Sequence, residues 1–195
     1  MRMRSFTQFR RNQSGATLVE HTLVFMLLML LTFGLIEFGV VLYQYNAAEK
    51  ATLIGARYVA TRGPVASGIS DCGVATGASA GTPCSSVNGA SSWTITCNAG
   101  APAAPCQGAV LTALVAEMQR YAPNLEAQNV QVVLRGAGLG FVGRGSPVPM
   151  VTVRLTGMQY DFLALDDLMG LGALTMPSFD ATVSGEDFNS AAPPS

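Results

Sequence analysis

The sequence predicts an α+β protein. One long N-terminal helix, first membrane-spanning and then amphipathic, is followed by a small disulfide-bridged head with one further helix and an antiparallel sheet of about three to four strands. Three observations carry this reading. Residues 16–43 are apolar except for Glu20, His21, Glu37 and a few small polar residues, with no charge between Leu23 and Ile36. Residues 107–122 repeat apolar side chains with a helical period. Near positions 130, 151 and 179 the apolar residues alternate with polar ones, as in strands with one covered face.

At about 1.5 Å per residue, residues 16–43 reach roughly 42 Å, more than the hydrocarbon core of about 30 Å. The segment before it, residues 1–15, carries Arg2, Arg4, Arg10 and Arg11 and no acid. Positive charge beside a span stays in the cytoplasm, so this leader is cytoplasmic and the C-terminal part is exported. A secretory signal peptide would end in a small-residue cleavage site after a short apolar core, whereas here the apolar run continues past Glu37. Beyond Tyr43 no breaker intervenes until Gly63-Pro64, and Ala47, Ala51, Ile54 and Tyr58 form one stripe that implies packing on a domain. The long helix is therefore expected over residues 16–63.

Glu20 is the anomaly, because a carboxylate within an apolar helix costs at least a few kcal/mol unless something pairs with it. Cleavage of the Gly15–Ala16 bond would create an α-amine four residues earlier, on the same helix face, within reach of Glu20 of its own chain or of an identical neighbour. His21 either sits at headgroup level or modulates the charge at Glu20. Glu37 lies 17 residues beyond Glu20, near the opposite membrane boundary. It reads either as an inexpensive interfacial carboxylate or as a second inter-helix pairing site. Gly34 and Gly39 permit close approach of neighbouring helices.

These residues carry a family resemblance. Gly15 followed by Ala16-Thr17-Leu18-Val19-Glu20 resembles the type IV prepilin processing site, and FGLIEFGVVLYQYNAAEKATLIGARYVATRG is similar to the TadE-type pseudopilins of tight-adherence (Tad/Flp) pilus systems. Those families carry Phe or Tyr after the glutamate, where this chain has His21. The resemblance implies cleavage by a prepilin peptidase after Gly15 and retention of the helix in the bacterial inner membrane, with the head in the periplasm. It also implies partnership with other pilins, pseudopilins and the assembly platform in building or priming the pilus. An uncleaved single-pass anchor carrying a periplasmic scaffold or binding module is the alternative.

With 49% hydrophobic and 12% charged residues, the 195-residue chain suits one membrane helix and one head of roughly 130 residues, long enough to bury a core. Loss of the four leader arginines takes the net charge from −1 to −5, and the remainder holds one lysine, Lys50. Such an anionic surface excludes nucleic acid as a partner.

Residues 64–106 are rich in Gly, Ser, Ala, Thr and Pro and contain Cys72, Cys84 and Cys97, with Cys106 at their end. No Cys-x-x-Cys pair exists and the single histidine is in the apolar segment, so zinc is disfavoured and disulfides are expected in an exported head. Of three connectivities, Cys72 with Cys84 and Cys97 with Cys106 makes two local loops around Trp93. Residues 92–97, SWTITC, read as a short strand. The head proper is expected over residues 107–188, with residues 189–195 as a disordered tail.

After the helix, which Pro123 ends, strands are expected at Val130–Arg135, Val151–Thr156 and Phe179–Ser184. The Gly-rich stretch 136–147 is expected as a flexible loop in a hairpin-like link, and residues 161–174 as a longer excursion. Gly138-x-Gly140-x-x-Gly143 matches a dinucleotide-binding fingerprint, but no helix follows to present its N-terminus to a pyrophosphate. Asp166, Asp167, Asp180, Glu186 and Asp187 read as solvated turn residues, without the spacing of a calcium loop. A single histidine excludes a histidine-based triad in the head, so no catalytic site, metal or cofactor is expected.

Overall fold

The computed structural model describes residues 14–62, 64–67, 69, 77–87, 89, 92–162, 165–166, 170 and 172–185. Helix α1 spans Ser14–Arg62. Strand β1 (Thr94–Asn98), helix α2 (Gly108–Gln119) and strands β2 (Val130–Phe141), β3 (Arg144–Leu155), β4 (Gln159–Tyr160), β5 (Leu174–Thr175) and β6 (Phe179–Ser184) follow. The leader, the tail and Cys72 lie wholly or largely outside the described residues. The chain divides into two units. One consists of α1 up to Leu42 with Asp161–Ala173, and the other of Tyr43–Tyr160 with the chain from Leu174.

At 49 residues and about 1.5 Å per residue, α1 is roughly 74 Å long. Its first half holds no glycine or proline that breaks the ladder, and the hydroxyls of Thr22 and Thr32 donate to the carbonyls of Leu18 and Met29, 2.7 and 2.9 Å away. These threonines therefore expose no unpaired donor in an apolar environment. Arg62 occupies the last turn, where its charge complements the helix dipole.

In the second unit, the buried face of α1 is Ala48, Ala51, Thr52, Gly55, Ala56 and Val59. This corrects the stripe expected from the sequence. Ala51 belongs to the buried face, whereas Ala47, Ile54 and Tyr58 lie at its margin. Small residues take the centre because α2 approaches closely there: a Cβ on Gly55 would stand 2.7 Å from Sδ of Met118. Helix α2 buries Val110, Leu111, Leu114, Val115 and Met118, and its final turn closes through Tyr121 and Ala122 N–H groups donating to the Met118 carbonyl. Lys50 lies 5.1 Å from the Tyr121 ring centroid, and Tyr45 meets Phe179 edge-on at 4.9 Å.

The four-stranded sheet has the order β1-β2-β3-β6, with every pair antiparallel. Its register aligns Cys97, Val132, Val153 and Ala181 in one row, flanked by Val130, Leu155 and Phe179 in the next. All seven are buried. The opposite face is polar: Gln131 donates to Asn98 at 2.9 Å, the Thr152 and Thr182 hydroxyls are 2.8 Å apart, and Arg154 donates to both oxygens of Asp180 at 2.8 and 3.0 Å. That pairing raises the Arg154 pKa, first through the hydrogen bond and then through the carboxylate's charge. Exposed as it is, the pair fixes register more than it adds stability.

The Gly-rich stretch differs from its expectation. It is not a loop but the far end of a hairpin, with Phe141 opposite Arg144 and only Val142 and Gly143 between them. Glycine makes this possible: Gly138, Gly140 and Gly143 have φ of 66°, 93° and 72°, and the register shifts on both sides of Leu139. These are bulges that a residue with a side chain would strain. Val142 anchors the tip, buried with Cys84 and Val87, while its backbone exchanges hydrogen bonds with Gly81 and Thr82.

The Cys97–Cys106 disulfide, with Cα atoms 5.7 Å apart, joins β1 to the segment that enters α2. The same segment pairs with the chain just after α1, as Gln107 N–H donates to Val65 at 2.7 Å and Ser67 N–H to Pro105 at 2.8 Å. Cys84 is also disulfide-bonded. Its expected partner, Cys72, is outside the described residues.

The Gly55–Met118 contact generates a direct test. Gly55→Val is expected to destabilise the head by about 1–3 kcal/mol through overpacking, as measured by chemical denaturation of the full chain in detergent. Met118→Ala in the same chain is expected to restore part of that loss.

Candidate functional site

The functional candidates line α1 in order. Gly15, Ala16 and Glu20 all lie within the helix and are exposed. Ala16 and Glu20, four residues apart, share a face. Among the described residues no cation pairs with Glu20. His21 is exposed beside it.

From Leu18 to Ile36 the large apolar side chains point outward on every side, including Leu23, Val24, Phe25, Met26, Leu27, Leu28, Leu31, Phe33 and Leu35. A methyl group added at Gly34 or at Gly39 would meet nothing within 4 Å, so each glycine leaves open space for a neighbour. Five residues at about 100° each place them about 140° apart around the axis, on different faces. They would serve two neighbouring helices rather than one.

Glu37 departs from its surroundings. It is 5% exposed, while Ile36 and Phe38 on either side are 62% and 61% exposed. Its two carboxylate oxygens each accept from the backbone N–H of Leu165 at 3.4 Å. Leu165 belongs to the excursion between β4 and β5, which groups with α1 up to Leu42. Within it Asp166 closes a turn: its carboxylate accepts from Gly172 N–H at 2.8 Å and its carbonyl from Gly170 N–H at 2.7 Å. The sequence places Glu37 at a membrane boundary and marks the excursion, but nothing in either pattern links residue 37 to residue 165. The signal available is the composition of the excursion, which is too apolar for a solvated loop.

The remaining candidates disperse. Asp180 pairs with Arg154, Asp166 serves its own turn, and Asp167, Glu186 and Asp187 are outside the described residues. Among the described residues no three metal-ligating side chains come together. Gly138, Gly140 and Gly143 shape the hairpin end, with no helix beyond them.

Comparison with known families decides what the long helix resembles. The family model described as TadE-like protein matches residues 15–57, a span that begins at the glycine of the expected cleavage site and lies wholly within α1. Over this helix the chain is similar to the TadE-like family. No curated protein and no solved structure matches. The TadE-like match contains Glu20, Gly34, Glu37 and Gly39, and it extends past the apolar run to Ala48–Ala56 of the small-residue face. The TadE-like helix is also the one helix among the described residues long and apolar enough to cross a membrane.

Loss of the Glu37 acceptor should be visible at its donor. Glu37→Ala is expected to speed hydrogen exchange of the Leu165 amide about fivefold, corresponding to a hydrogen bond of about 1 kcal/mol, with the amides of β2 and β3 unchanged. Two-dimensional NMR of the full chain in micelles reads both.

Proposed function

We propose that this chain is a pseudopilin, a minor pilin that acts in the assembly or initiation of a Tad-type pilus for surface adherence. A prepilin peptidase cuts after Gly15, α1 is held in the inner membrane with the head in the periplasm, and the chain then joins other pilins and pseudopilins at the assembly platform. The observation that carries this reading is the TadE-like match over a helix whose apolar side chains are uncovered all round and whose Glu20 lacks a partner among the described residues.

Assembly rather than chemistry is the mechanism. An unpaired carboxylate costs about 2.5–3.5 kcal/mol at the centre of the hydrocarbon core and less towards its boundary, where Glu20 lies on this reading. Cleavage places Glu20 fifth in the mature chain, close to the orphan N–H groups and positive end of the helix and to the new Ala16 amine. The amine neutralises Glu20 of the same or an adjacent subunit as helices gather, and van der Waals packing of their apolar surfaces holds the cluster.

Mass spectrometry of the protein from its native membrane separates this function from that of an uncleaved anchor. A mature chain starting at Ala16 is expected, and one starting at Met1 overturns the proposal in favour of a tethered periplasmic module. Glu20→Ala is expected to leave cleavage intact while reducing pilus yield at least about tenfold, the consequence of removing an interaction of more than about 1.4 kcal/mol per subunit. An unchanged yield rules out the pairing of Glu20 with the amine.

A further inference from the structure

Besides its buried face, the part of α1 that belongs to the head carries an exposed ridge at a spacing of four. Tyr45, Glu49, Leu53, Arg57 and Thr61 are all exposed, Tyr45 by 39% and Leu53 by 51%. Side chains four apart form one of the rows through which helices interlock with neighbouring helices. From Tyr45 to Arg57 this row reads aromatic, acidic, aliphatic, basic.

The two charges are stranded within their own chain. A helix face that meets only water gains when an acid and a base stand three or four residues apart and pair. Around Glu49 those positions hold Tyr45, Asn46, Thr52 and Leu53, and around Arg57 they hold Leu53, Ile54, Ala60 and Thr61. None carries the opposite charge. Among the described residues the ion pairs are Arg120 with Glu117 and Arg154 with Asp180, so the head supplies no partner either. Lys50 and Arg62 lie over the rings of Tyr121 and Tyr58 at 5.1 and 5.4 Å. Arg57 is thus the cation of α1, among the described residues, that pairs with neither a ring nor a carboxylate.

A displacement of eight residues brings the charges together between chains. Copies of one membrane-spanning helix lie parallel, because each keeps the same end in the cytoplasm. Slid by eight residues, about 12 Å, one copy sets its Arg57 against Glu49 of the next, its Leu53 against Tyr45 and its Thr61 against Leu53. In register, by contrast, Glu49 faces Glu49 and Arg57 faces Arg57, and like charges repel. The bilayer accommodates the displacement. Residues 16–43 reach roughly 42 Å, about 12 Å more than the hydrocarbon core, so both copies still span it.

We propose that this ridge is a docking surface for a second copy of the chain, parallel to the first and displaced by about 12 Å along the helix axis. The contact is heterologous: each copy offers Arg57 to one neighbour and Glu49 to the other, so the arrangement propagates instead of closing as a pair. Exposed charges of this kind fix register and select the partner more than they add affinity, while packing of the apolar helix surfaces holds the copies together. The proposal deepens the assembly reading and rests on it for a population of parallel helices, but not on cleavage after Gly15.

Cysteine cross-linking in the native membrane tests it. Cys84, Cys97 and Cys106 are disulfide-bonded, and the unsubstituted chain under the same oxidant gives the baseline. Full-length chains carrying Leu53→Cys are produced together with chains carrying Tyr45→Cys. A disulfide-linked mixed dimer is expected at least about fivefold above the yield from either chain alone, the mark of a fixed register. Glu49→Cys with Arg57→Cys, both at exposed positions, is expected to give the same result. Arg57→Glu in the Leu53→Cys chain is expected to lower the yield to the baseline, and Glu49→Arg added to the Tyr45→Cys chain to recover it. Two mixed pairs that both stay at the baseline overturn the docking surface. A Leu53→Cys chain that dimerises alone as well as in the mixture overturns the displacement, and a yield indifferent to charge reversal overturns the pairing of Arg57 with Glu49. Chains cut after Gly15 that form no mixed dimer leave the pseudopilin reading standing, whereas a mixed dimer of chains that still start at Met1 overturns that reading alone.

Discussion

The first half of α1 presents an apolar surface that no described residue covers, apart from the strip around Glu37. Burying a leucine or phenylalanine side chain is worth about 1.5–3 kcal/mol, and α1 leaves more than a dozen large apolar side chains bare between Leu18 and Leu42. In water that surface would drive aggregation. Lipid on every free face, or lipid and identical helices together, satisfies it. Gly34 and Gly39, beside which a methyl group would meet nothing within 4 Å, leave room for such neighbours.

Two carboxylates interrupt this surface, and the structure treats them differently. Glu37 is covered, its oxygens directed at a backbone N–H contributed by residues more than a hundred positions later. Glu20 has no such cover and stays on the outside of the helix. One carboxylate is therefore settled when a single chain folds, while the other has no ion-pair partner among the described residues. On the proposed function, that asymmetry divides folding from assembly along one helix: Glu37 is held within its own chain, and Glu20 is left to other molecules.

Much of this was legible in the residues. The length of α1, the helix before Pro123 and the three alternating runs follow from periodicity, and the Cys97–Cys106 pairing agrees with a local loop. Legibility failed where glycine or long-range contact decides. The stretch 136–143 reads as a loop because glycine has weak strand preference, yet its freedom at positive φ lets the hairpin carry two bulges and a two-residue turn. The buried stripe of α1 is offset because hydrophobicity favours Ile54 and Tyr58, whereas close helix packing selects Gly55 and Ala56. The covering of Glu37 is invisible to any pattern, since it pairs a side chain with a backbone group from a distant segment.

Residue size along α1 then explains how an unbroken helix can pass from one solvent to another. Up to Tyr43 its outward residues are large: Leu, Phe, Met and Ile, which a fluid bilayer accommodates without demanding complementarity. From Ala48 to Ala60 the buried face is almost wholly Ala, Gly, Thr and Val, because a neighbouring helix is rigid and approaches only where side chains are short. Lipid conforms to the protein, whereas protein must be cut to fit protein. The change from large to small, set between Tyr43 and Ala48 with no helix breaker to announce it, is where a spanning α1 would leave the membrane, and it is sharper than the change in hydropathy.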